Sequence, residues 1–288
     1  MSAENRIVLI DAYAQIYRYY HGTHPLSNQD GLPTNATYGI ARMLKKLEAD
    51  YPHSYGAVVF DKGKSVERLK LDKKYKANRS PMPDDLRRQV PYIIQWAELS
   101  GWPVVMEEGR EADDLLGAIT KLCKDVFEIL IVTNDKDLAQ LVDENVSLLN
   151  SGKAGEFKCL DYDATIKKFG IAPNQIEDYL ALMGDNADNI EGVPGVGPKT
   201  AVKLLNKYST AEEILRKAKY IPQKKLRETL MRYGDRIELN KKLVSLFDYP
   251  PADWKNLEKN LLKKKPDSEQ LNALAKKLNF KSFLFENL

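Results

Sequence analysis

Glu111-Ala112-Asp113-Asp114 opens the segment Glu111–Lys124, in which apolar residues recur at the spacing of a helix. The first turn of this predicted helix therefore carries three carboxylates. The helix dipole stabilises a negative charge there by only about 0.3–1 kcal/mol, whereas two unit charges about 4 Å apart repel by about 4 kcal/mol at an effective dielectric of about 20. We expect six further acids to converge on this turn. Without divalent metal to hold them together, such a cluster would need raised pKa values.

Three short apolar runs of the chain each end in acidic residues. Continuous apolar runs of this kind are typical of buried parallel strands. The sequence therefore predicts three strands that carry carboxylates at their carboxyl ends. The runs and the acids after them are Ile7–Ile10 with Asp11, Ala57–Phe60 with Asp61, and Ile129–Val132 with Asp135 and Asp137.

Helical patterns alternate with these strands. They cover Asn35–Tyr51, Asp84–Ser100 and Glu111–Lys124, and Pro103–Met106 supplies a fourth strand. This alternation predicts an α/β fold with a central, mostly parallel sheet flanked by helices. Ligands of such sheets bind beyond the carboxyl ends of the strands, so one rim would gather the acids. A single Asp after a strand is more often a helix cap or a turn residue, but the shared position of seven acids favours one site.

The second half of the chain has a different character. After a predicted strand at Val146–Asn150, the pattern is mostly helical. Asp185 and Asp188 are three residues apart, so a helical turn would place both on one face. These two bring the acids assigned to the site to nine. The predicted helices are Asp161–Phe169, Pro173–Met183, Ala201–Tyr208, Lys224–Tyr233, Asp235–Leu246 and Leu271–Leu278.

The stretch Gly192–Ala201 alternates glycine with small residues and leads into a predicted helix. Glycine permits close approach of the backbone to a ligand, and a helix N-terminus is a phosphate site; an ordinary helix-turn-helix corner is the alternative. Lys199, Lys203 and Lys207 repeat every four residues along that helix. Alone they would form a solvated stripe. Beside the glycine turn they predict a track for the backbone of a duplex.

The stretch Lys62–Arg79, here called the basic segment, directly follows Asp61. It carries eight Lys or Arg residues against two acids, a net charge of +6 in 18 residues. A long polar excursion beside a proposed active site is a candidate lid or substrate gate; a mobile loop kept soluble by lysines is the alternative. Tyr75 offers a ring face to a base, and Arg79 offers a fork to a phosphate. The basic residues are Lys62, Lys64, Arg68, Lys70, Lys73, Lys74, Lys76 and Arg79.

The composition, with 43% hydrophobic and 30% charged residues, is that of a soluble globular protein. The 288 residues suffice for one large domain or two modest ones. No apolar run approaches the roughly 18 residues of a membrane helix, and Ile7–Ile10 is too short for a signal-peptide core, so we expect a cytoplasmic protein. Cys123 and Cys159 have no neighbours of metal-ligand type, which predicts two buried, reduced thiols.

The net charge understates how basic the molecule is outside the predicted site. Once nine site carboxylates are set aside, a net charge of +3 becomes +12 for the rest of the chain. Clustered Lys and Arg gain affinity for nucleic acids by releasing phosphate counterions, so a polyanionic partner is plausible. Scattered charge could serve solubility alone; the distribution of the charge decides between the two.

Six motifs, in order, resemble those of the 5′-nuclease family, which includes the N-terminal domain of bacterial DNA polymerase I and the phage and cellular flap endonucleases. Each motif alone is weak, but six in order are highly specific, and the resemblance runs from about Ile7 to Leu284. The motifs are Asp11 after its strand, Phe60-Asp61 with Tyr75-Lys76-Ala77-Asn78-Arg79, Glu111-Ala112-Asp113-Asp114, Thr133-Asn134-Asp135-Lys136-Asp137, Gly184-Asp185-Asn186-Ala187-Asp188-Asn189, and Gly192-Val193-Pro194-Gly195-Val196-Gly197-Pro198-Lys199-Thr200-Ala201.

This resemblance implies a structure-selective nuclease that cuts branched or nicked DNA near a free 5′ end with divalent metal. Lys62–Pro83 would be the helical arch that gates the 5′ strand, with Lys76 and Arg79 near the scissile phosphate. Gly192–Ala201 would be the helix-hairpin-helix (helix-three-turn-helix) element that grips the downstream duplex, often with a bound potassium ion. The implied DNA contacts are Arg18, Lys62, Lys64, Arg68, Tyr75, Gly192, Gly195, Gly197, Lys199, Thr200 and Lys203.

We expect a monomer in which residues 1–160 form the α/β nuclease core, with the arch at 62–90. Residues 161–288 would form a helical DNA-binding region with the hairpin motif at about 184–208. Two positions depart from the family pattern, since Ala12 and Asn134 stand where its members usually or often carry glycine. The methyl of Ala12 would affect the detailed geometry near the substrate, not metal binding.

Phosphodiester hydrolysis suits such a site, because two divalent ions about 3.5–4 Å apart activate a water and stabilise the leaving oxygen. Oxygen ligands with few imidazoles favour Mg²⁺ or Mn²⁺ over Zn²⁺. Asp11 and Asp114 are expected to act partly through water. The ligands expected near one ion are Asp61, Glu111, Asp113 and Asp135, and near the other Asp137, Asp185 and Asp188.

Two other functions stay open on the sequence alone. One is a module that binds branched DNA without cutting it, with its metal in a structural role. The other is a PIN-type ribonuclease, although such enzymes are generally shorter and lack the basic segment and the glycine motif. A zinc phosphatase is disfavoured because the three histidines form no ligand-spaced cluster. A haloacid-dehalogenase phosphatase is disfavoured because Tyr13 stands where its second Asp belongs.

Overall fold

The computed structural model describes residues 5–152, 155–246 and 257–284. The strands are β1 (Arg6–Asp11), β2 (Tyr55–Val59), β3 (Val104–Val105), β4 (Glu128–Val132), β5 (Val146–Ser151), β6 (Phe157–Leu160), β7 (Gly184–Asp185) and β8 (Ile190–Glu191). The helices are α1 (Ala12–Gly22), α2 (Asn35–Asp50), α3 (Val66–Leu71), α4 (Asp84–Arg87), α5 (Val90–Leu99), α6 (Ala112–Cys123), α7 (Tyr162–Phe169), α8 (Ile176–Met183), α9 (Pro198–Tyr208), α10 (Ala211–Arg216), α11 (Lys224–Arg232), α12 (Gly234–Val244), α13 (Leu257–Leu261) and α14 (Ser268–Leu278).

A six-stranded sheet in the order β3-β2-β1-β4-β5-β6 forms the centre of the molecule. Its strands are parallel except β6, which runs antiparallel to β5. Asp11 lies opposite Val59 of β2, and Ile10 lies opposite Val132 of β4. The carboxyl ends of the three predicted acid-bearing strands are therefore level at one rim. The mostly parallel sheet predicted from the sequence is confirmed.

Alternate residues of β1 pack on opposite faces of the sheet. Ile7 and Leu9 join a cluster that includes α6 and continues through α8, α9 and α12 of the helical half. Val8 and Ile10 join a second cluster with α2, α5 and α14. The helical half is thus fixed to the sheet by the same hydrophobic cluster that buries α6.

The last helices of the chain return to the sheet. Leu271, Leu274 and Leu278 of α14 are buried in the cluster that covers the α2 and α5 face. Just before α14, the amides of Lys263 and Lys264 donate to the carbonyls of Ser54 (3.0 Å) and Gly101 (2.8 Å). Residues 257–284 therefore pack on the α/β core, although they follow the helical half in sequence.

Three local predictions need correction. The helix expected at Asp84–Ser100 is divided into α4 and α5, and Pro91 lies in the first turn of α5, where its missing N–H costs nothing. The turn around Asp185 and Asp188 is a β7–β8 hairpin rather than a helical turn. Of the two cysteines, Cys123 is buried as expected but Cys159 is exposed.

The expected helical arch at Lys62–Pro83 is only partly helical in this structure. It contains one six-residue helix, α3, and the rest folds in turns against the rim. A break expected at Pro250-Pro251 lies outside the described residues. None of the helices in the described ranges is long and apolar enough to cross a bilayer.

Candidate active site

Asp11 occupies the junction between β1 and α1. One of its carboxylate oxygens caps α1 by accepting from the Ala14 amide (3.2 Å), and the other accepts from the Thr133 hydroxyl (2.8 Å). Its side chain is 5% exposed. The cap expected as an alternative is therefore present, but it uses one oxygen only and the carboxylate still faces the rim.

The N-terminus of α6 is fixed beside the end of β2. Asp61 accepts a hydrogen bond from the Ala112 amide (2.9 Å), which brings it next to the acids of the first α6 turn. Glu111 is the N-cap residue of α6, and Asp113 and Asp114 follow in its first turn. The close pairing of strand end and helix start explains why these four acids share one pocket.

The loop after β4 is folded around its own acids. The Asp135 amide donates to the Thr133 hydroxyl (3.0 Å), and the Asp137 amide donates to the Asp135 carboxylate (2.9 Å). One carboxylate oxygen of Asp137 is buried and has no hydrogen-bond partner among the described residues. A buried anionic oxygen without a donor is a position that a cation would satisfy.

The β7–β8 hairpin brings the last two acids to the rim. Asp185 accepts from Lys136 (2.9 Å) and from the Ala187 amide (2.7 Å). Asp188 lies at the tip of the hairpin and faces the basic segment. A Cβ on Gly192 would lie 1.9 Å from the Met183 carbonyl oxygen, so only glycine allows the hairpin to pack on α8.

The nine acids are here called the acid site, and several of them interact electrostatically. Burial, followed by the charge of Asp61, raises the pKa of Asp11 to about 7. Burial, followed by the charges of Asp135 and Asp185, raises the pKa of Asp137 to about 8. Burial and neighbouring carboxylates also raise the pKa of Asp113. Acids from five separate elements therefore repel one another across a single pocket.

Three side chains of the basic segment enter this pocket. Lys76 Nζ lies 2.6 Å from Glu111 Oε1 and 3.6 Å from Asp188. Arg79 forms an ion pair with Asp188. The Tyr75 hydroxyl donates to Glu111 Oε2 (2.9 Å) and lies 3.1 Å from Asp188. Burial raises the pKa of Glu111, but the charges of Lys76 and Arg68 outweigh burial and hold it below its ordinary value.

Arg68 and Tyr75 differ from what the sequence predicted. Arg68 is 2% exposed and binds Glu111 and Asp114, so its guanidinium faces carboxylates and cannot reach DNA from this position. Tyr75 is 6% exposed, and its ring is covered by the cations of Arg68 and Lys76 at 5.8 and 5.0 Å. In this structure neither side chain presents the free surface expected of a DNA contact, and both contacts stay predictions.

The acid site fits a hard divalent cation by its chemistry. Its donors are carboxylate oxygens, which Mg²⁺ and Mn²⁺ prefer, and the mutual repulsion and the orphaned oxygen of Asp137 both call for positive charge. Among the described residues, no three acidic, histidine or cysteine side chains stand close enough to hold an ion as they are. Several of these carboxylates are instead bonded to side-chain cations. The cations are Arg68, Lys76, Arg79 and Lys136.

The raised pKa values predict how pH affects the metal-free protein. Asp11 and Asp137 bind protons more tightly in the folded than in the unfolded chain, where the ordinary value is 3.8. Their stabilising protonated forms are fully present below about pH 4 and are lost as the pH rises through about 7 to 8. We expect thermal unfolding in EDTA to move to lower temperature between pH 5 and pH 8.

Divalent metal should reverse this trend, because it replaces the lost protons as counter-charge. Differential scanning calorimetry at pH 5 and pH 8, with EDTA or with Mg²⁺, measures both effects. We expect Mg²⁺ to raise the unfolding temperature more at pH 8 than at pH 5. A metal-free protein that is more stable at pH 8 than at pH 5, with no response to Mg²⁺, would contradict the assignment of the acid site.

The predicted duplex track lies on the exposed face of α9. Ala201, Leu204 and Leu205 are buried against the helical core, whereas Lys199, Lys203 and Lys207 are exposed on the other side. Gly195 adopts a φ of +77° in the turn before the helix. A Cβ on Gly195 or Gly197 would meet no atom within 4 Å, so both glycines leave open space at the backbone. Thr200, in the first turn, is half-buried.

The remaining predicted contacts lie around the rim. Lys62 and Lys64 are exposed at the start of the basic segment, where Lys62 lies 3.6 Å from Glu108. Arg18 is half-buried on α1 and donates to the carbonyl of Gly152. Ala12 is buried. The side-chain amide of Asn134 donates to the carbonyl of Ser151 in β5, and its oxygen accepts from the Ser151 amide. Neither departure from the family pattern displaces an acid from the rim.

Sequence reasoning missed two residues that shape the site. Thr133 donates its hydroxyl to Asp11 and accepts from the Asp135 amide, so it joins two strand ends. Lys136 neutralises Asp185 from the other half of the chain. Both lie inside the motif Thr133–Asp137. The position of Lys136 between two acids could have indicated that it neutralises a carboxylate of the site.

The chain matches known proteins over nearly its whole length. A model of the 5′-3′ exonuclease N-terminal resolvase-like domain matches residues 6–170. A model of the 5′-3′ exonuclease C-terminal SAM fold matches residues 171–277. Together the two models cover both the sheet and the helical half.

The curated relatives include exonucleases of similar length and much longer DNA polymerases. A 5′-3′ exonuclease of Aquifex aeolicus is 38% identical over 281 residues, which cover 97% of this chain and 94% of that protein. A DNA polymerase I of Pseudomonas aeruginosa is 39% identical over 290 residues, which cover 96% of this chain but 31% of the polymerase. The chain thus spans about a third of the polymerase and nearly all of the exonuclease.

Among solved structures, the bacteriophage T5 flap endonuclease, described as a pseudo-enzyme-product complex with DNA and metal ions, superposes with a TM-score of 0.71. The identity is 20%, and the match covers 96% of both chains. At this identity the superposition shows a shared fold.

Proposed function

Because the chain belongs to the 5′-3′ exonuclease family, we propose that it is a structure-specific 5′ nuclease that hydrolyses DNA phosphodiesters near a free 5′ end. One observation carries this proposal. Acids from the ends of three neighbouring strands, from α6 and from the β7–β8 hairpin meet at one rim, directly beneath the basic segment. An acidic site covered by cations provides metal-binding oxygens and phosphate-binding groups in the same place.

We propose Mg²⁺ or Mn²⁺ as the cofactor, with two or more ions at the acid site. Such ions supply an activated water and stabilise the leaving oxygen of the phosphodiester. The all-oxygen donor set and the buried, unpartnered oxygen of Asp137 support this assignment. Metal ions in the T5 flap endonuclease structure, which has the same fold, support it as well. A potassium ion at Gly192–Ala201 stays a prediction.

Lys76 and Arg79 are the proposed phosphate-binding residues. In the present structure they neutralise Glu111 and Asp188. Metal at the acid site would take over that neutralisation, and both side chains would then be available to the scissile phosphate. The Lys76 side chain is 12% exposed, against 53% for Arg79, which supports assigning Lys76 the position nearer the reacting phosphate.

The exposed face of α9 is the proposed contact for the downstream duplex. The open backbone at Gly195 and Gly197 and the N-terminus of α9 suit phosphate oxygens. Lys199 and Lys203 would follow the same strand along the helix. We keep the division into an α/β core at 1–160 and a helical DNA-binding region at 161–288, together with the monomeric state and the cytoplasmic location, as proposals.

Substitution of the α9 lysines should weaken DNA binding without affecting the chemistry. We expect Lys199→Ala and Lys203→Ala each to lower duplex affinity several-fold and to reduce the slope of log K against log salt by about 1. Fluorescence anisotropy in Ca²⁺ at several salt concentrations measures both. Lys276→Ala, an exposed lysine on α14, is the matched control. Equal duplex affinities for wild type and the three variants would exclude α9 as the surface that binds the duplex.

The function itself is tested with end-labelled substrates. Flap, nicked and single-stranded DNA and an RNA flap are incubated with Mg²⁺ or with EDTA. We expect cleavage of flap and nicked DNA near the 5′ end, and none in EDTA. DNA binding without product would favour the non-cleaving module, and preferential cleavage of RNA would favour the ribonuclease.

A further inference from the structure

We propose that Arg68 is a positioning residue that orients Glu111 for metal and uses Asp114 as its own counter-ion. The proposal rests on the nuclease function proposed above. It changes two assignments made from the sequence, where Arg68 was a DNA contact and Asp114 a metal ligand acting partly through water.

The two oxygens of Glu111 have different surroundings. Oε2 accepts from Arg68 Nη1 (2.8 Å) and from the Tyr75 hydroxyl (2.9 Å), whereas Oε1 faces Lys76 Nζ (2.6 Å). Two donors on one oxygen fix the rotation of the carboxylate. If Lys76 were displaced, Oε1 would be the oxygen without a donor. Arg68 would thus determine which oxygen of Glu111 is available to a metal ion.

Asp114 is occupied by the same guanidinium. Arg68 Nη1 lies 2.6 Å from Asp114 Oδ2, and Nη2 lies 2.8 Å from Oδ1. This is the bidentate geometry in which a planar guanidinium matches a carboxylate. Asp114 is 4% exposed. With both oxygens bonded to Arg68, the carboxylate serves to hold the guanidinium rather than to bind metal.

The guanidinium also reaches the end of α12. Nε donates to the Leu243 carbonyl and Nη2 to the Ser245 carbonyl, both at 2.8 Å. The carbonyl of the intervening residue, Val244, accepts from Gln140 (3.2 Å), whose side chain also bonds the Asp137 carbonyl (2.9 Å). Carbonyls at a helix C-terminus carry partial negative charge and suit a cation. One buried side chain thus joins α3, α6 and the helical half.

Lysine cannot reproduce this arrangement. Its single ammonium group can reach one carboxylate but lacks the planar fork that serves Glu111, Asp114 and two carbonyls together. Arg68→Lys keeps the buried charge and removes the orientation. It is therefore a sharper test than alanine, which would remove the buried positive charge from Glu111 and Asp114 altogether.

The experiment compares wild type, Arg68→Lys, Asp114→Asn and the double variant, with Arg87→Lys, an exposed arginine of α4, as the control. Calorimetric titration with Mn²⁺ alone gives metal affinity and stoichiometry, and steady-state cleavage of flap DNA in Mg²⁺ gives kcat and KM. Circular dichroism establishes that each variant is folded.

We expect Arg68→Lys to weaken Mn²⁺ binding and to lower kcat by about 10- to 100-fold each, with little change in KM. Asp114→Asn should also lower kcat but bind as many Mn²⁺ ions as wild type. Because both substitutions break the same Arg68–Asp114 ion pair, the double variant should have nearly the same kcat as the less active single variant.

Three results would overturn the proposal. The first is a raised KM in Arg68→Lys with unchanged kcat and Mn²⁺ affinity, which would make Arg68 a DNA contact. The second is the loss of one Mn²⁺ ion in Asp114→Asn, which would make Asp114 a ligand; this test holds even where Arg68→Lys does not fold. The third is additive losses in the double variant. A wild type that binds Mn²⁺ but cuts no flap would refute the nuclease function alone, since the Mn²⁺ titrations of the variants would still test Arg68.

Discussion

Asp135→Asn is expected to lower the rate of flap cleavage by about a thousandfold, while DNA affinity stays near that of wild type. Asp135 interacts electrostatically with acids of β1 and α6 and with the next acid of its own loop. Its charge raises the pKa of Asp11 and Asp113 on one side and of Asp137 on the other. An amide in its place keeps the shape but removes the charge that a divalent ion would need from the centre of the site.

The same substitution should stabilise the metal-free protein, because it relieves repulsion among buried carboxylates. We expect a higher unfolding temperature for Asp135→Asn than for wild type in EDTA, and a smaller gain on addition of Mg²⁺. Single-turnover cleavage and scanning calorimetry measure the two effects. Asp125→Asn, an exposed carboxylate beyond the far end of α6, is the matched control. Wild-type turnover in Asp135→Asn would refute its role in the site.

Lys76→Ala should have the second largest effect, a loss of about 10²- to 10³-fold in kcat. The Lys76 ammonium lies 2.6 Å from Glu111, and its side chain is 12% exposed, against 53% for Arg79. Its backbone, with a φ of +53°, is held by a hydrogen bond from the Lys76 amide to the Asp188 carbonyl (2.9 Å). The chain therefore directs this side chain into the pocket at a conformational cost that a surface lysine would not need.

Single-turnover cleavage at saturating enzyme separates chemistry from binding for this variant. Lys73→Ala, which removes an exposed lysine from the same segment, is expected to cleave like wild type and to bind DNA slightly less tightly. In EDTA, Lys76→Ala should unfold at a lower temperature than Lys73→Ala, since Glu111 and Asp188 lose a buried partner. Equal cleavage rates for Lys76→Ala and Lys73→Ala would show that Lys76 has no role in catalysis.

The acid site was largely predictable because it depends on local patterns. Apolar runs that stop at Asp11, Asp61 and Asp135 indicate parallel strands, and parallel strands place their carboxyl ends at one rim. The position of α6 follows from the same rule. No long-range contact has to be known in order to gather these acids.

The hairpin that carries Asp185 and Asp188 was harder to predict. Spacing of three residues suits a helical turn, but Gly184, with a φ of +72°, and the close packing of Gly192 on Met183 turn the chain into two short strands. Both acids still reach the rim. The predicted local conformation was wrong, because backbone packing of glycine is not visible in side-chain periodicity.

The burial of Arg68 and Tyr75 was not predictable from the sequence. Both lie in a stretch of net charge +6, where solvent exposure is the ordinary expectation. Arg68 is buried because its partners, Glu111 and Asp114, are 43 and 46 residues away. Only the tertiary structure brings a guanidinium, two carboxylates and the end of α12 together. Charge composition identified the segment but could not identify which of its cations face inward.

Side-chain cations and the proposed metal ions would have alternative roles at this site. In the present structure Lys76 and Arg79 supply positive charge to Glu111 and Asp188. A divalent ion at the same carboxylates would make that charge redundant and release the two side chains toward a phosphate. Metal binding and preparation of the phosphate-binding groups would then be one event.

Anomalous diffraction from crystals soaked in Mn²⁺ tests the central claim most directly, because it locates metal without relying on activity. The account predicts Mn²⁺ peaks at the rim, coordinated by Asp135 and by carboxylates of α6 and the β7–β8 hairpin, with Lys76 displaced from Glu111. Crystals that show no Mn²⁺ among these acids, with Lys76 still bonded to Glu111, would contradict it.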